Sequence, residues 1–210
     1  MGGQRLGCDL AVFKRRLHAP GMAASLNRTV EARILRVNHG GEHGAIRIYL
    51  AQIALARVRA PDLLPFLSGT LAHEREHLAR FRALMPTREA KPCRLMWIWS
   101  IGGGALGGLT ALFGRKAILV CTEAVERTVH RHLDDQLAWL GDRDVEMATT
   151  IREIQQQELE HLRYAEKERG TFGPFSLLLD RTICLAVEGL IWLSTRGDSL
   201  RLARTLRSAA

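Results

Sequence analysis

The feature that most constrains the fold of this chain is a set of metal-binding side chains that recurs after 84 residues. In each half, a single Glu is followed 32 residues later by a Glu-x-x-His pair. Residues i and i+3 share one face of an α-helix, so each pair can bind a metal ion from a single helix. A four-helix bundle offering one Glu from each of two helices and a Glu-x-x-His from each of the others holds a di-metal carboxylate centre. The six residues are Glu42, Glu74 and His77 in the first half and Glu126, Glu158 and His161 in the second.

A single Glu-x-x-His on a charged helix usually marks a solvated face, so the second copy carries the argument. Other identities at the same offset, such as Gln52 with Gln136, indicate a true internal repeat. One rival interpretation uses the same residues, because His73 to His77 matches the H-E-x-x-H helix of zinc metalloproteases. The repeat disfavours it, since Gln157 stands where a second copy would need His73.

Composition favours one all-α domain. The chain has 210 residues, 47% of them hydrophobic, which is enough for one sizeable core. Apolar residues recur at helical spacing, and alternating β-type patterns are rare. Proline and glycine signals predict four long helices, over about 25–59, 62–84, 116–140 and 144–169. We therefore predict an all-α four-helix bundle over 25–195, with a basic extension at 1–24 and a basic tail at 196–210. The extension is either disordered, with Met22 as the true start, or a mitochondrial transit peptide.

Two further segments are apolar and nearly uncharged. Leu95–Gly114 separates the second and third predicted helices, and Phe175–Ser194 closes the domain. Although twenty apolar residues can span a bilayer, a spanning segment at 95–114 would put parts of one bundle on opposite membrane faces. We therefore expect two additional helices that face a membrane without crossing it. Near Glu42, the glycines 40, 41 and 44 are costly inside a helix and predict close approach of a neighbouring helix, a metal or a ligand.

The formal net charge of +8 suits an anionic partner. Because signatures of nucleic-acid-binding modules are missing, an anionic membrane surface is the better expectation, and we predict no nucleic-acid partner.

Four carboxylates balance two Fe²⁺ ions, and the mixture of imidazole and carboxylate suits iron. Each ligand histidine also needs a hydrogen-bond partner on its other nitrogen, for which Asp135 is one candidate. We expect Glu42 and Glu126, the single carboxylates of the two halves, to be available to bridge the metals. His132 is a candidate for a supporting or gating role.

The chain resembles the demethoxyubiquinone hydroxylases, which are ferritin-like di-iron monooxygenases of ubiquinone biosynthesis. The resemblance covers about residues 28–195. It rests on Val37–Ala45 (VNHGGEHGA), Glu74–Leu78 (EREHL), Ala124–Glu126 (AVE) and Glu158–His161 (ELEH). All six metal positions of the family pattern are filled here. Two positions depart from that pattern: His43 stands where the family often has tyrosine or another residue that is not histidine, and Leu133 stands where some members have a tyrosine near the metal centre.

The resemblance implies an enzyme that hydroxylates the C6 ring position of a polyprenyl methoxy-methyl-benzoquinol, with O₂ and electrons that come ultimately from NADH. Because the Arg-rich extension is a poor transit peptide, we expect a peripheral location on the inner face of a bacterial cytoplasmic membrane, with the matrix face of the mitochondrial inner membrane as the other option. A lipid-binding accessory protein and a homo-oligomer are further options. The alternatives are a ferritin-like iron- or peroxide-handling protein and, less favoured, the zinc metalloprotease.

Overall fold

The structure is a computed structural model that describes residues 20–194, with side chains for 27–193. Within these residues the chain forms six α-helices and no strand, so the predicted all-α class is confirmed for this part. Residues 1–19 of the extension predicted over 1–24 and the tail over 196–210 lie outside the described residues, whereas residues 20–24 belong to the first helix. The helices are α1 Pro20–Arg59, α2 Leu64–Leu84, α3 Met96–Leu112, α4 Arg115–Leu140, α5 Val145–Glu168 and α6 Pro174–Ser194.

The helix ends follow local rules, with small differences from the predicted bounds. Helix α1 begins at Pro20, five residues before the predicted start, because proline's fixed φ suits the first position of a helix. Helix α2 begins at Leu64, after a 3-10 turn over Pro61–Leu63. At the start of α5, the Asp144 carboxylate accepts a hydrogen bond from the backbone N–H of Met147 at 3.0 Å. That N-cap satisfies a donor which the helix itself leaves free.

Four of the helices pack as a bundle around a common centre. Helix α1 packs along α2, and α4 packs along α5, while α2 and α5 meet across the middle. At one end, apolar side chains such as Ile34, Phe81 and Ile151 form a buried cluster. A second cluster, which includes Leu63, Leu67 and Ile118, is also buried. These apolar clusters hold the four helices in place around the polar residues at the centre.

The glycines near Glu42 are explained by the packing of α3 on α1. A Cβ on Gly44 would lie 2.7 Å from the Trp99 ring, and one on Gly40 would lie 2.8 Å from Trp99 Nε1. In return, a Cβ on Gly103 would lie 2.4 Å from the Gly44 carbonyl oxygen. Side chains at these positions would push the two helices apart. Close approach of a neighbouring helix, one of the three predicted explanations, therefore offsets the glycine cost.

Helices α3 and α6 cover one side of the bundle and expose apolar side chains. The exposed apolar side chains of α3 adjoin those of α6. The rings of Phe113 and Phe175 lie 6.2 Å apart, and the Leu190 side chain lies against Gly102. None of the helices in the described part of the chain is long and apolar enough to cross a membrane. The exposed apolar residues of this face, which we call the apolar face, are Trp97, Ile101, Leu109, Phe113, Phe175, Leu178, Leu185 and Trp192.

Candidate metal centre

The structure brings all six predicted ligands together at the centre of the bundle. Helix α1 contributes Glu42, α4 contributes Glu126, and α2 and α5 each contribute a Glu-x-x-His pair. All six side chains are buried. Their ligand atoms form two groups, within each of which the atoms lie within 4.8 Å of one another. The first group is Glu42, Glu74, His77 and Glu158, and the second is Glu74, Glu126, Glu158 and His161.

The two groups share a different pair of carboxylates from the pair that we expected to be free to bridge. Glu74 and Glu158 belong to both groups, whereas Glu42 and Glu126 each belong to one. The reason is the direction of the helices. His77 Nδ1 lies 3.0 Å from Glu158, and His161 Nδ1 lies 3.9 Å from Glu74, so α2 and α5 run antiparallel. Each histidine therefore faces the opposite helix's glutamate, which leaves both glutamates in the middle.

The carboxylates are crowded enough to perturb one another's protonation. Burial raises the pKa of Glu74 well above its usual range, and the charges of Glu158 and Glu42 raise it further. Burial and Glu158 raise the pKa of Glu126 in the same way. Burial alone would lower the pKa of His77, but the adjacent carboxylates of Glu158 and Glu42 outweigh it and raise the pKa to about 11. Buried carboxylates that repel one another form a strong site for cations.

Two buried atoms in the centre lack hydrogen-bond partners, and both point to a cation. Neither His77 Nδ1 nor Glu74 Oε1 has a hydrogen-bond partner, although His77 Nδ1 lies near the Glu158 carboxylate. Unpaired buried polar atoms are costly, and a bound metal ion would satisfy both. The donor set combines imidazole nitrogens with carboxylate oxygens, which suits iron among other transition metals. The residues present therefore fit a metal centre.

The outward-facing nitrogens of the two histidines have partners that the sequence did not single out. His77 Nε2 lies 2.6 Å from Gln157 Oε1, and His161 Nε2 lies 2.9 Å from His73 Nδ1. Asp135, the predicted candidate, is exposed and was the wrong choice, because its side chain faces solvent rather than the centre. One sequence signal could have found these partners: His73 and Gln157 each directly precede the Glu of a Glu-x-x-His pair.

The position of His73 contradicts the zinc metalloprotease interpretation. In that motif both histidines bind the same metal, with the intervening Glu as a base. Here His73 belongs to neither ligand group, and Glu74 belongs to both. The ring of His73 instead stacks on His161, with centroids 5.2 Å apart. Of the two histidines that complete the H-E-x-x-H motif, only His77 belongs to a ligand group.

A tyrosine that sequence reasoning missed also contacts the centre. Tyr49 is fully buried, and its hydroxyl donates a hydrogen bond to Glu126 Oε1 at 2.6 Å. Burial and the charge of Glu126 raise its pKa well above its usual range, so the phenol stays protonated. Its signal was the seven-residue spacing from Glu42, which places both side chains on one helix face. The equivalent position in the second half is Leu133, so the repeat is not symmetric here.

The other histidines near the centre are not among the ligand groups. His43 Nε2 lies 2.8 Å from Ser100 Oγ, which ties α1 to α3. His39 is buried and neither of its nitrogens has a partner. His132 lines the cavity described next, with its Nε2 3.3 Å from Glu188 Oε1 of α6. A gating role for His132 remains a prediction.

A mostly apolar cavity of about 340 Å³ leads from the centre to the apolar helices. Leu133 and Val129 of α4 form part of its wall beside the carboxylates. Such a space suits an apolar ring compound rather than a charged one. The cavity is lined by residues of both α3 and α6, the two helices that carry the apolar face. Residues that show this span are Glu42, Glu126, Trp99, Leu106, Val187 and Leu190.

Comparison with known proteins agrees with this geometry. A protein of Rhodospirillum rubrum named 3-demethoxyubiquinol 3-hydroxylase is 38% identical over 164 residues, which cover 78% of this chain and 77% of the relative. The NADPH-dependent 3-demethoxyubiquinone 3-hydroxylase, mitochondrial, of Rattus norvegicus is 33% identical over 186 residues, covering 86% and 85%. The 5-demethoxyubiquinone hydroxylase, mitochondrial, of Saccharomyces cerevisiae is 31% identical over 182 residues, covering 78% and 77%. The family described as ubiquinone biosynthesis protein COQ7 matches residues 29–194, and this chain belongs to that family.

Proposed function

We propose that this chain is a di-iron monooxygenase that hydroxylates the C6 ring position of a polyprenyl methoxy-methyl-benzoquinol in ubiquinone biosynthesis. The observation that carries the proposal is the junction of the metal centre with an apolar cavity that opens between two apolar helices. Family membership and the names of the relatives support the same reaction. An iron-storage or peroxide-handling role would have no use for an apolar cavity beside the metal centre.

Six residues of the chain would hold the two irons. Glu74 and Glu158 would contribute to both metal positions, since each belongs to both ligand groups. Glu42 with His77 and Glu126 with His161 would complete one ion each. Four carboxylates offset the charge of two Fe²⁺ ions, which lowers the cost of burying them. Bound iron would supply the O₂ chemistry of the reaction, in which one oxygen atom enters the ring and the other is reduced to water with two electrons and two protons.

The rest of the site would bind and orient the quinol. The apolar wall formed by residues such as Val187 and Leu190 would hold the ring and exclude water from the centre. Tyr49 would keep the Glu126 carboxylate in one orientation by its hydrogen bond. The electrons would come ultimately from NADH.

The apolar face would dock on a membrane, where a polyprenyl quinol resides. Trp97, Ile101 and Phe113 are exposed next to Phe175 and Leu178, and an apolar patch of this kind is typical of an interaction surface. The net charge of +8 would add attraction to anionic lipid.

We propose a peripheral protein on the inner face of a bacterial cytoplasmic membrane. The matrix face of the mitochondrial inner membrane is the alternative, and two of the relatives above are named as mitochondrial. The proposed partners include a lipid-binding accessory protein and further copies of this chain in a homo-oligomer.

The test combines metal analysis with turnover. Protein purified without added metal, reloaded anaerobically with Fe²⁺, should bind two irons per chain and add one oxygen atom to a short-chain quinol analogue when O₂ is admitted. Glu126→Ala should lose iron and activity. One zinc per chain that Glu126→Ala leaves in place would overturn the proposal.

Membrane docking has its own matched pair of variants. Trp97 is 60% exposed on the apolar face, and Val58 is 85% exposed outside it. Trp97→Ser should reduce flotation with vesicles that contain anionic lipid, whereas Val58→Ser should leave flotation unchanged. Equal effects of the two variants would argue against docking through this face.

A further inference from the structure

The two ligand histidines are each supported by a residue of the opposite repeat. Gln157, in the second half, contacts Nε2 of His77, in the first half, at 2.6 Å. His73, in the first half, contacts Nε2 of His161, in the second half, at 2.9 Å. His73 and Gln157 occupy the same position in the two repeats. One structural position is therefore filled by two side chains with different hydrogen-bonding chemistry.

Metal binding through Nδ1 sets a requirement on the other nitrogen. A neutral imidazole carries one hydrogen, so an Nδ1 that binds a cation leaves the hydrogen on Nε2, which must then donate. The Oε1 atom of Gln157 can only accept, so it favours a hydrogen on Nε2 of His77, which leaves Nδ1 free to bind a cation once that nitrogen is deprotonated. His73 Nδ1 accepts only when His73 carries its own hydrogen on Nε2. His73 is half-buried, so solvent can satisfy that hydrogen.

We propose that His73 and Gln157 are positioning residues that set the tautomer and ring orientation of His161 and His77, and that their difference makes the two metal positions inequivalent. The inference rests on the proposed metal centre and goes beyond it. The hydrogen-bond acceptor for His77 Nε2 is an amide oxygen, which always accepts. The acceptor for His161 Nε2 is His73 Nδ1, which accepts only in one tautomer of His73. The asymmetry extends to the single carboxylates, because Tyr49 donates to Glu126 while the equivalent position in the second repeat is Leu133. The two metals should consequently bind in two separable steps.

The experiment titrates metal-free protein with Co²⁺ alone and follows bound metal by equilibrium dialysis and by the visible absorption of Co²⁺. The wild-type chain should bind two ions in two steps. His73→Leu should weaken one step by about 10- to 100-fold, as is usual when the supporting partner of a metal ligand is lost. Gln157→Leu should weaken the other step, with a different change in the spectrum.

His73→Gln keeps the inference testable if the leucine variants fail to fold, because glutamine also offers an acceptor oxygen. It should still bind two ions, with two steps closer in affinity. Loss of one ion in His73→Gln would show that His73 is itself a ligand and would overturn the inference. The control is His130→Leu, since His130 lies 3.8 Å from Asp134 on the same helix and should leave both steps unchanged.

The outcomes separate this inference from the proposed function. Two ions bound by His73→Leu with unaltered affinity would overturn the inference and leave the metal centre standing. Wild-type protein that binds no Co²⁺ and no Fe²⁺ would overturn the metal centre itself.

Discussion

The close contact between α1 and α3 predicts that alanine substitutions at two neighbouring glycines change the stability of the fold in opposite directions. A Cβ on Gly107 would lie 2.3 Å from the Ile48 carbonyl oxygen and 2.8 Å from its Cα. A Cβ on Gly108, one residue later, would meet nothing within 4 Å. Both substitutions to alanine gain the same helix propensity, roughly 0.5–1 kcal/mol. Any difference between the two variants therefore reports the steric contact alone.

The size of that difference follows from the distances. Ordinary van der Waals contact begins near 3.4 Å, so Gly107→Ala requires α3 to move away from α1 by about 1 Å. The opposing atoms belong to backbone and cannot rotate away. Overpacking of this kind costs about 1–3 kcal/mol. Gly108→Ala should be slightly more stable than wild type, and Gly107→Ala should be less stable than Gly108→Ala by about 1–3 kcal/mol.

The assay is urea unfolding of the metal-free protein in a non-ionic detergent, followed by circular dichroism at the helix minimum. Thermal unfolding should agree, with a shift of roughly 2–4 °C for each kcal/mol in a chain of this size. Gly103→Ala and Gly104→Ala provide a second pair, since a Cβ on Gly103 meets the Gly44 carbonyl at 2.4 Å and one on Gly104 meets nothing. Equal midpoints within each pair would refute the steric argument.

Three further results are expected. Tyr49→Phe should lower metal affinity about tenfold in the dialysis assay, because Glu126 loses its hydrogen-bond donor; unchanged affinity would count against that role. Leu133→Tyr should raise KM for a short-chain quinol analogue by narrowing the cavity, while the volume-conserving Leu133→Met should not. Asp144→Asn should cost roughly 1–3 kcal/mol at pH 7, because Arg88 bonds the carboxylate and holds its pKa below the ordinary 3.8. Since that contribution is lost as the pH falls through the lowered pKa, urea midpoints of variant and wild type should converge in acid; a gap that persists there would contradict the assignment.

The sequence alone was sufficient to predict the all-α class and the six candidate ligands. Both depend on periodicities that are local: apolar residues at helical spacing, a Glu-x-x-His on one helix face, and proline or glycine at helix ends. The internal repeat added the pairing of the two halves, because one offset relates all six residues. Helix bounds were predicted within a few residues, and the largest difference was the start of α1 at Pro20.

The tertiary structure alone decided how the residues around the metal centre are arranged. The antiparallel contact of α2 with α5 places Glu74 and Glu158 in both ligand groups, and no spacing along one helix could reveal that. The same contact brings Gln157 and His73 behind histidines that lie about 80 residues away or more in the chain. Trp99 fills the space above glycines of α1, and α6 completes the cavity. These features depend on the packing of helices distant in sequence, which local periodicity does not encode.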